Sequence, residues 1–138
     1  MLNFEFDKPP IQSTLPNCWL IAPLEVLWAT RRDLLKSIVS EINGYKIQVR
    51  LANHVLWLNP CFPPNTANPL WARCIEKAFS ILLGGYHKFK PGRVAYACSL
   101  LFKEFRIVEI KNGISVIKLP GGHHALRPVE CYMLYIDS

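Results

Sequence analysis

The amino-acid sequence predicts a single α+β domain spanning residues 1–138, in which helices come early and strands come late. Before residue 103, several segments carry apolar residues three or four positions apart, the spacing of a helix with one buried face. After residue 105, two β-rich runs flank an Asn-Gly pair, a pattern typical of a β-hairpin. With 51% hydrophobic and 19% charged residues, the chain has the composition of a compact domain with a substantial core.

The N-terminal part predicts one strand and two helices. Residues 1–8 alternate in polarity and predict a short strand, which Pro9-Pro10 separates from any helix. The first helix is expected over residues 18–28, because Asn17 is a favourable N-cap and the residues after it are apolar. A second helix is expected over residues 33–42, ending at an Asn-Gly pair.

Two strands and a long helix are predicted next. Residues 45–51 alternate between apolar and polar types, which indicates a half-buried strand, and residues 54–58 predict a second strand. A helix over residues 70–83 has one apolar face and ends at a Gly-Gly pair. Asn68 is its expected cap, with Pro69 in the first helical position, where a missing N–H costs nothing.

The C-terminal third predicts one short helix followed by strands. The helix covers residues 94–102, and the hairpin strands cover residues 106–110 and 114–119. A further strand is expected to begin at residues 123–126, and the last strand covers residues 131–136.

Composition and charge exclude several classes of function. The net charge of +6 is moderate and Lys and Arg are scattered, so we expect no specific nucleic-acid binding. No run approaches the roughly 18 apolar residues of a membrane span, and no signal peptide is visible. Five irregularly spaced cysteines favour a reducing compartment, and hence a cytoplasmic location. Without a closely spaced cysteine pair or a cluster of carboxylates, neither zinc nor calcium is expected, and no cofactor is predicted.

A thiol at the start of the first predicted helix is the strongest chemical signal. Cys18 would be the first helical residue, where unsatisfied N–H groups and the helix dipole favour a thiolate. Gln12 lies six residues upstream, where its side-chain amide can join a backbone N–H in an oxyanion hole. Most buried cysteines are inert small hydrophobic residues, so Cys18 alone leaves structural and catalytic roles equally open.

The segment around Cys18 resembles known cysteine proteases. Gln, five residues and then Cys-Trp-Leu is similar to the nucleophile segment of calpain-like and wider papain-like proteases, and Asn-Cys-Trp-Leu resembles picornaviral leader proteases. Residues 68–86 resemble the calpain helix with the pattern Trp-x-x-x-Leu-Glu-Lys-Ala-Tyr-x-x-x-x-Gly-x-Tyr, and the preceding strand pair also corresponds. An amphipathic helix alone explains the apolar face but not the Glu-Lys-Ala-aromatic run. The matching positions are Trp71, Ile75, Glu76, Lys77, Ala78, Phe79, Gly84 and Tyr86.

The resemblance implies a papain-like fold, with the cysteine on a helix of the N-terminal half and a histidine in the antiparallel sheet of the C-terminal half. A nucleophilic cysteine needs such an imidazole to hold the thiolate and protonate the leaving amine. His54 on an apolar strand and His87 after a helix end are more typical of structural or exposed histidines. Residues 122–126 resemble the Gly-His-Ala-Tyr element of calpains, in which His124 matches His-Ala and His123 matches Gly-His. Adjacent strand residues face opposite sides, so we assign the base to His124 and keep His123 as the alternative.

The base also needs a partner that fixes its tautomer. Calpains use the Asn of an Asn-Pro-Trp element, which is absent here. Asp137 follows the last predicted strand, and picornaviral leader proteases place an Asp at a similar spacing after the histidine. The resemblance therefore implies Asp137 as the third member of the site.

Together these residues predict a minimal cysteine endopeptidase acting on a protein or peptide substrate. Cys18 would attack the scissile carbonyl, Gln12 stabilise the oxyanion, His124 transfer the proton and Asp137 orient the imidazole. A deubiquitinase or another thiol acyl transferase would use the same site. A catalytically inactive pseudo-protease that binds a partner through its cleft is a further alternative, favoured by the absent Asn-Pro-Trp element and by Pro23 inside the first helix. No membrane partner is expected, and the oligomeric state is left open.

Overall fold

The computed structural model describes residues 2–11, 16–63, 67–90, 94–103, 106–111, 114–120 and 129–136, with the backbone alone for residues 94 and 106–136. The elements along the chain are α1 (Cys18–Thr30), α2 (Arg32–Ile38), β1 (Val39–Ile42), β2 (Lys46–Arg50), β3 (Val55–Leu58), α3 (Leu70–Leu83), a 3₁₀ helix (Tyr86–Lys88), α4 (Val94–Leu101), β4 (Arg106–Lys111), β5 (Ile114–Pro120) and β6 (Val129–Ile136).

The strands form two separate antiparallel sheets of three strands each. The first sheet has the order β1-β2-β3 and the second the order β4-β5-β6. The first sheet lies between α2 and α3 in the chain, and the second follows α4. The α+β class predicted from the sequence is therefore confirmed.

The core is built around α3, which packs against the 3₁₀ helix and the first sheet. Trp71 and Phe79 of α3 are completely buried, together with Leu24 of α1 and Ile47 of β2. Each such side chain contributes about 1.5–3 kcal/mol to the hydrophobic stabilisation of the fold. The predicted bounds of this helix, residues 70–83, are confirmed, and it ends at Gly84 in the left-handed conformation with φ 102°.

The second predicted helix is wrong in its last four residues. The helix ends at Ile38, and the chain continues as β1, in which Val39 pairs with Val49 and Ile42 with Lys46. Asn43 and Gly44 both have positive φ, 56° and 78°, and with Tyr45 they form the three-residue turn of a hairpin instead of a helix end. The apolar spacing of this segment suits either structure, and pairing with β2 decides between them.

The N-terminal segment is a turn and not the predicted strand. Glu5 adopts φ 62°, and the backbone oxygens around it accept hydrogen bonds from α1 and α3. The indole N–H of Trp28 donates to the oxygen of Phe6 at 2.9 Å, and the backbone N–H of Trp71 donates to the oxygen of Phe4 at 2.9 Å. The segment therefore joins these two helices.

The cap of α3 also differs from the prediction. Pro69 occupies the N-cap position, and the carboxylate of Glu5 accepts the hydrogen bond of the Leu70 N–H at 3.1 Å. Asn68 is buried and makes no cap hydrogen bond, because its side chain is engaged elsewhere. A carboxylate from a distant segment thus replaces the local asparagine at this helix start.

The C-terminal elements follow the predicted order. The helix over residues 94–102 is observed as α4, and the predicted hairpin is observed as β4 and β5. The last strand begins two residues earlier than predicted and pairs with β5. The predicted strand start at residues 123–126 lies outside the described residues. Both α4 and β6 lie against α1, so the second sheet is brought to the helix that begins at Cys18.

Candidate active site

Cys18 is the first residue of α1, as predicted, and its thiol is free and exposed. The three residues that follow it are buried: Trp19, Leu20 and Ile21. The sulfur therefore stands at the surface while the helix behind it is anchored in the core. This is the arrangement that an accessible nucleophile requires.

The anchoring of α1 depends largely on Trp19. Its ring packs against those of Phe79, Phe89 and Tyr96, with centroids 5.9, 6.1 and 5.4 Å away. Its indole N–H donates to the backbone oxygen of Lys90 at 2.9 Å. These contacts tie the start of α1 to α3 and α4, while Tyr96 leaves 45% of its own surface exposed.

Asn17 stands at the N-cap position of α1, as predicted, but its side chain makes no cap hydrogen bond. Its backbone oxygen accepts the N–H groups of Leu20 at 2.9 Å and Ile21 at 3.1 Å. Its amide instead donates from Nδ2 to Oε2 of Glu76 at 2.8 Å, a hydrogen bond that a buried carboxylate strengthens. The Asn17 amide therefore leaves the first-turn N–H groups to other acceptors.

Glu76 lies on the buried side of α3 and is only 1% exposed. Besides Asn17, it accepts a hydrogen bond from Nδ2 of Asn68 at 3.3 Å on its other oxygen. Burial raises the pKa of the Glu76 carboxyl, and the hydrogen bonds from the two asparagines and the positive charge of Arg73 oppose that rise. Sequence reasoning matched Glu76 to the calpain pattern without giving it a role. A glutamate among apolar, inward-facing positions of a helix was the available signal.

The remaining predicted site residues, Gln12, His123, His124 and Asp137, lie outside the described residues. Ile136, the residue before Asp137, ends β6, and β6 lies against the helix of Cys18.

The strand register of the second sheet sets a condition on any contact between His124 and Asp137. Pro120 pairs with Val129 at one end of the β5–β6 pair, and Ile114 pairs with Ile136 at the other. At roughly 3.4 Å per residue, the ends of β6 are about 24 Å apart. His124 belongs to the chain between Pro120 and Val129, so a contact with Asp137 requires that connection to return along the strand.

The other histidines whose positions are described are exposed. His54 directly precedes β3, and His87 belongs to the 3₁₀ helix. Their surface positions agree with the sequence interpretation, which set both aside as structural or exposed residues.

The described cysteines fall into two groups. Cys74 and Cys98 are buried, and burial raises the pKa of each thiol to about 12. Cys61 is exposed, like Cys18, but it lies in the loop after β3 and not at a helix start. Among the four cysteines whose side chains the structure describes, Cys18 alone combines exposure with a helix N-terminus.

Among the described side chains, no three His, Cys, Asp or Glu residues are grouped so that they could hold a metal ion. The absence of a cofactor stays a prediction. None of the helices in the described ranges has the length and apolar character needed to cross a membrane.

No protein-family model matches this chain, and no solved structure matches it significantly. The likeness to calpains and leader proteases therefore rests on the short motifs around Cys18, Glu76 and His124.

Proposed function

We propose that this protein is a cysteine endopeptidase with a papain-like arrangement, in which Cys18 is the nucleophile. The observation that carries this proposal is the exposed thiol at the first residue of α1, on a helix whose next three residues are buried. The packing of β6 against the same helix supports it, because a papain-like protease brings its C-terminal sheet to the helix of the cysteine.

The proposed chemistry is a two-step acyl transfer. His124 takes the thiol proton, and the sulfur of Cys18 bonds to the carbonyl carbon of the substrate. As the C–N bond breaks, the imidazolium gives its proton to the leaving amine. A water molecule, deprotonated by His124, then hydrolyses the thioester and releases the carboxylic acid and the free thiol.

The oxyanion formed in both steps needs hydrogen-bond donors. Gln12 is the proposed side-chain donor, and a backbone N–H at the start of α1 is the proposed second donor. The Asn17 side chain supports this role, because it is bound to Glu76 and does not occupy the first-turn N–H groups.

Asp137 is proposed to orient the imidazole of His124. It directly follows β6, the strand that lies against α1. The strand register sets the condition that the connection after β5 returns along β6. If the connection does not return along β6, the proposed site is a Cys18–His124 dyad without an orienting carboxylate.

The pairing of β5 with β6 also favours a second candidate function, a pseudo-protease that binds a partner without cleaving it. In this pairing, the chain connection that contains His124 starts at one end of β6 and Asp137 follows the other end. A base without an orienting partner loses much of its efficiency, since the wrong tautomer cannot accept the thiol proton. A deubiquitinase differs from the proposed endopeptidase only in substrate and is separated from it by assay.

The test is labelling with a peptide vinyl sulfone, a probe that reacts with activated thiols, followed by peptide and ubiquitin-amide cleavage assays. Wild type and Cys61→Ala should label equally, whereas Cys18→Ala and His124→Ala should not label. Cleavage of unstructured peptides identifies an endopeptidase, and cleavage of the ubiquitin substrate alone identifies a deubiquitinase. If Cys18 is labelled no faster than Cys61 and neither substrate is cleaved, both the endopeptidase and the deubiquitinase are rejected. The pseudo-protease then remains.

A further inference from the structure

We propose that the outer edge of β3 binds an extended acidic segment of a partner protein, which joins the first sheet as a fourth strand. The binding surface, called here the β3 surface, consists of Val55 and Trp57 of β3 and the neighbouring basic residues Lys46 and Arg50 of β2. The proposal is independent of the proposed function, because it uses none of the residues assigned to the candidate active site.

The first observation is the direction of the backbone groups on β3. The strand is last in the order β1-β2-β3, and among the described residues it pairs with β2 alone. The N–H of Leu51 donates to the oxygen of His54 at 2.8 Å, and bonded and non-bonded pairs alternate along an antiparallel ladder. Val55 and Trp57 therefore form non-bonded pairs with β2, and their N–H and C=O groups point away from it. This is the alternation of donors and acceptors to which an added strand pairs.

The second observation is that β3 lacks the usual protection of an edge strand. Natural edge strands carry a charged side chain, a proline or a bulge that discourages pairing with another chain. The sequence of β3 is Val-Leu-Trp-Leu, and its pairing with β2 has a regular register. Trp57 is 57% exposed and Val55 is 44% exposed, whereas Leu58 is buried in the core. An exposed tryptophan on an apolar edge is typical of a binding surface.

The third observation is the charge of the outer face of the first sheet. Arg50 pairs with Val55 and shares its face, and Lys46 lies four residues away on the same strand, so it shares that face too. Both basic side chains are exposed, and neither forms an ion pair with a described residue. The other outer-face positions on β1 and β2 are Ser40, Ile42 and Gln48. The strands therefore give this face two positive charges and no carboxylate.

Together these observations favour an acidic peptide strand as the occupant. Its backbone supplies both donors and acceptors to β3, whereas the phosphates of a nucleic acid supply acceptors only. Because the Val55 side chain is small, the long side chain of Arg50 can extend across it towards a carboxylate on the added strand. A second copy of this chain is disfavoured by size, since a stable dimer buries roughly 1,200–2,000 Å² and β3 has only four residues.

The experiment measures the binding of fluorescein-labelled peptides to the purified protein by fluorescence anisotropy. One probe alternates Glu with Val, a second alternates Lys with Val, and a third has the acidic sequence with methyl groups on its internal amide nitrogens. The acidic probe should bind about tenfold more tightly than either of the others, because lysines are repelled by the basic face and methyl groups remove the backbone donors. Its affinity should fall as salt is added.

Matched variants locate the binding on the β3 surface. Arg50→Glu should raise the Kd of the acidic probe about fivefold, whereas Lys36→Glu, the same charge change at an exposed position of α2, should leave it within about twofold. Trp57→Ser should raise the Kd about tenfold, since it removes the aromatic anchor. Val55→Pro removes an N–H that points away from β2, so it should weaken binding while the β2–β3 ladder is kept.

The methylated probe tests backbone pairing in the unaltered protein, so the test does not depend on the folding of Val55→Pro. Equal binding of the methylated and unmethylated acidic probes overturns the proposal, and so does equal binding of the acidic and basic probes. An unchanged Kd in Arg50→Glu and Trp57→Ser also overturns it, because the probe then occupies another surface, such as the proposed active site. Displacement of the acidic probe by a single-stranded oligouridine would assign the β3 surface to nucleic acid instead. A dimer in sedimentation that Trp57→Ser abolishes would assign it to a second copy of the chain.

Discussion

The carboxylate of Glu5 accepts a hydrogen bond from the backbone N–H of Leu70 at 3.1 Å, across 65 residues of sequence. Leu70 is the first residue of α3, so the N-terminal segment supplies the negative charge that a helix start favours. Lys8 binds the same carboxylate at 2.7 Å. The start of α3, the central helix of the core, thus depends on the N-terminal segment, which the sequence pattern predicted to be a strand.

Glu5→Gln is expected to lower the free energy of unfolding at neutral pH. The hydrogen bond from Lys8 and that from the Leu70 N–H lower the pKa of the Glu5 carboxyl from its ordinary 4.5. A carboxyl with a lowered folded pKa stabilises the fold above its unfolded pKa and loses that effect as pH falls through the folded value. The difference between wild type and variant, measured by urea denaturation, should therefore shrink below pH 4.5. Asp7→Asn, an exposed carboxylate in the same segment, is the control; an equal effect there would remove the special role of Glu5.

Glu76 should show the opposite pH dependence. Burial raises its pKa above the ordinary 4.5, so the fold favours the protonated carboxyl. A raised folded pKa gives stability that is present below the unfolded pKa and is lost as pH rises through the folded value. Wild type should therefore lose stability relative to Glu76→Gln as pH increases above 4.5, with Arg73 reducing the effect through its positive charge. Urea denaturation of both proteins over a pH series measures the difference, and a constant difference would contradict the prediction.

Cys18 should be the first cysteine to react with one equivalent of iodoacetamide at pH 6. Cys74 and Cys98 are buried and should react only on unfolding, since burial raises the pKa of each to about 12. Cys61 is the exposed comparison within the same molecule, and reaction of Cys61 before Cys18 would contradict the prediction.

Cys18→Ala should abolish peptidase activity while the thermal transition stays close to that of wild type, because alanine is well tolerated in helices. Retained activity in Cys18→Ala would exclude this residue as the nucleophile.

Replacement of each histidine in turn should identify the base. His124→Ala should slow Cys18 alkylation at pH 6 and shift its pH profile towards that of Cys61, because an imidazolium next to a thiolate stabilises it. His123→Ala should leave the profile close to wild type. Alkylation rates from pH 5 to 9 for both variants decide the assignment. The reverse pattern would transfer the role of base to His123.

Asp137 variants should show whether the site is a triad or a dyad. Asp137→Asn should retain part of the activity, since an asparagine orients the base in calpains, and Asp137→Ala should lose more. The measurement is kcat/KM for a peptide substrate. A chain ending at Ile136 is the sharper variant, because β6 itself is kept complete. Unchanged kcat/KM in that truncated chain would place Asp137 outside the site and agree with the separation of the two ends of β6.

Local sequence patterns predicted much of the fold. The apolar spacing of residues 70–83 predicted α3 with its observed bounds, and the Asn-Gly pair between two strand-like runs predicted the β4–β5 hairpin. Such features depend on neighbours within one turn or one hairpin, which is why the sequence reveals them. The placement of Cys18 at the start of α1 was predicted for the same reason.

The interactions between distant segments were decided only by the tertiary structure. Residues 39–42 suit a helix or a strand, and pairing with β2 made them a strand. Asn17 and Asn68 both have the side chain of a helix cap, yet the buried carboxylate of Glu76 binds both. The physical reason is that a buried carboxyl group must find hydrogen-bond partners within the protein, whereas a solvated helix end can bond to water, and which donors are nearest to Glu76 depends on how α1 and α3 pack. The sequence by itself determined where the thiol stands on its helix; the packing of α3 against the start of that helix determined what holds the residue before it.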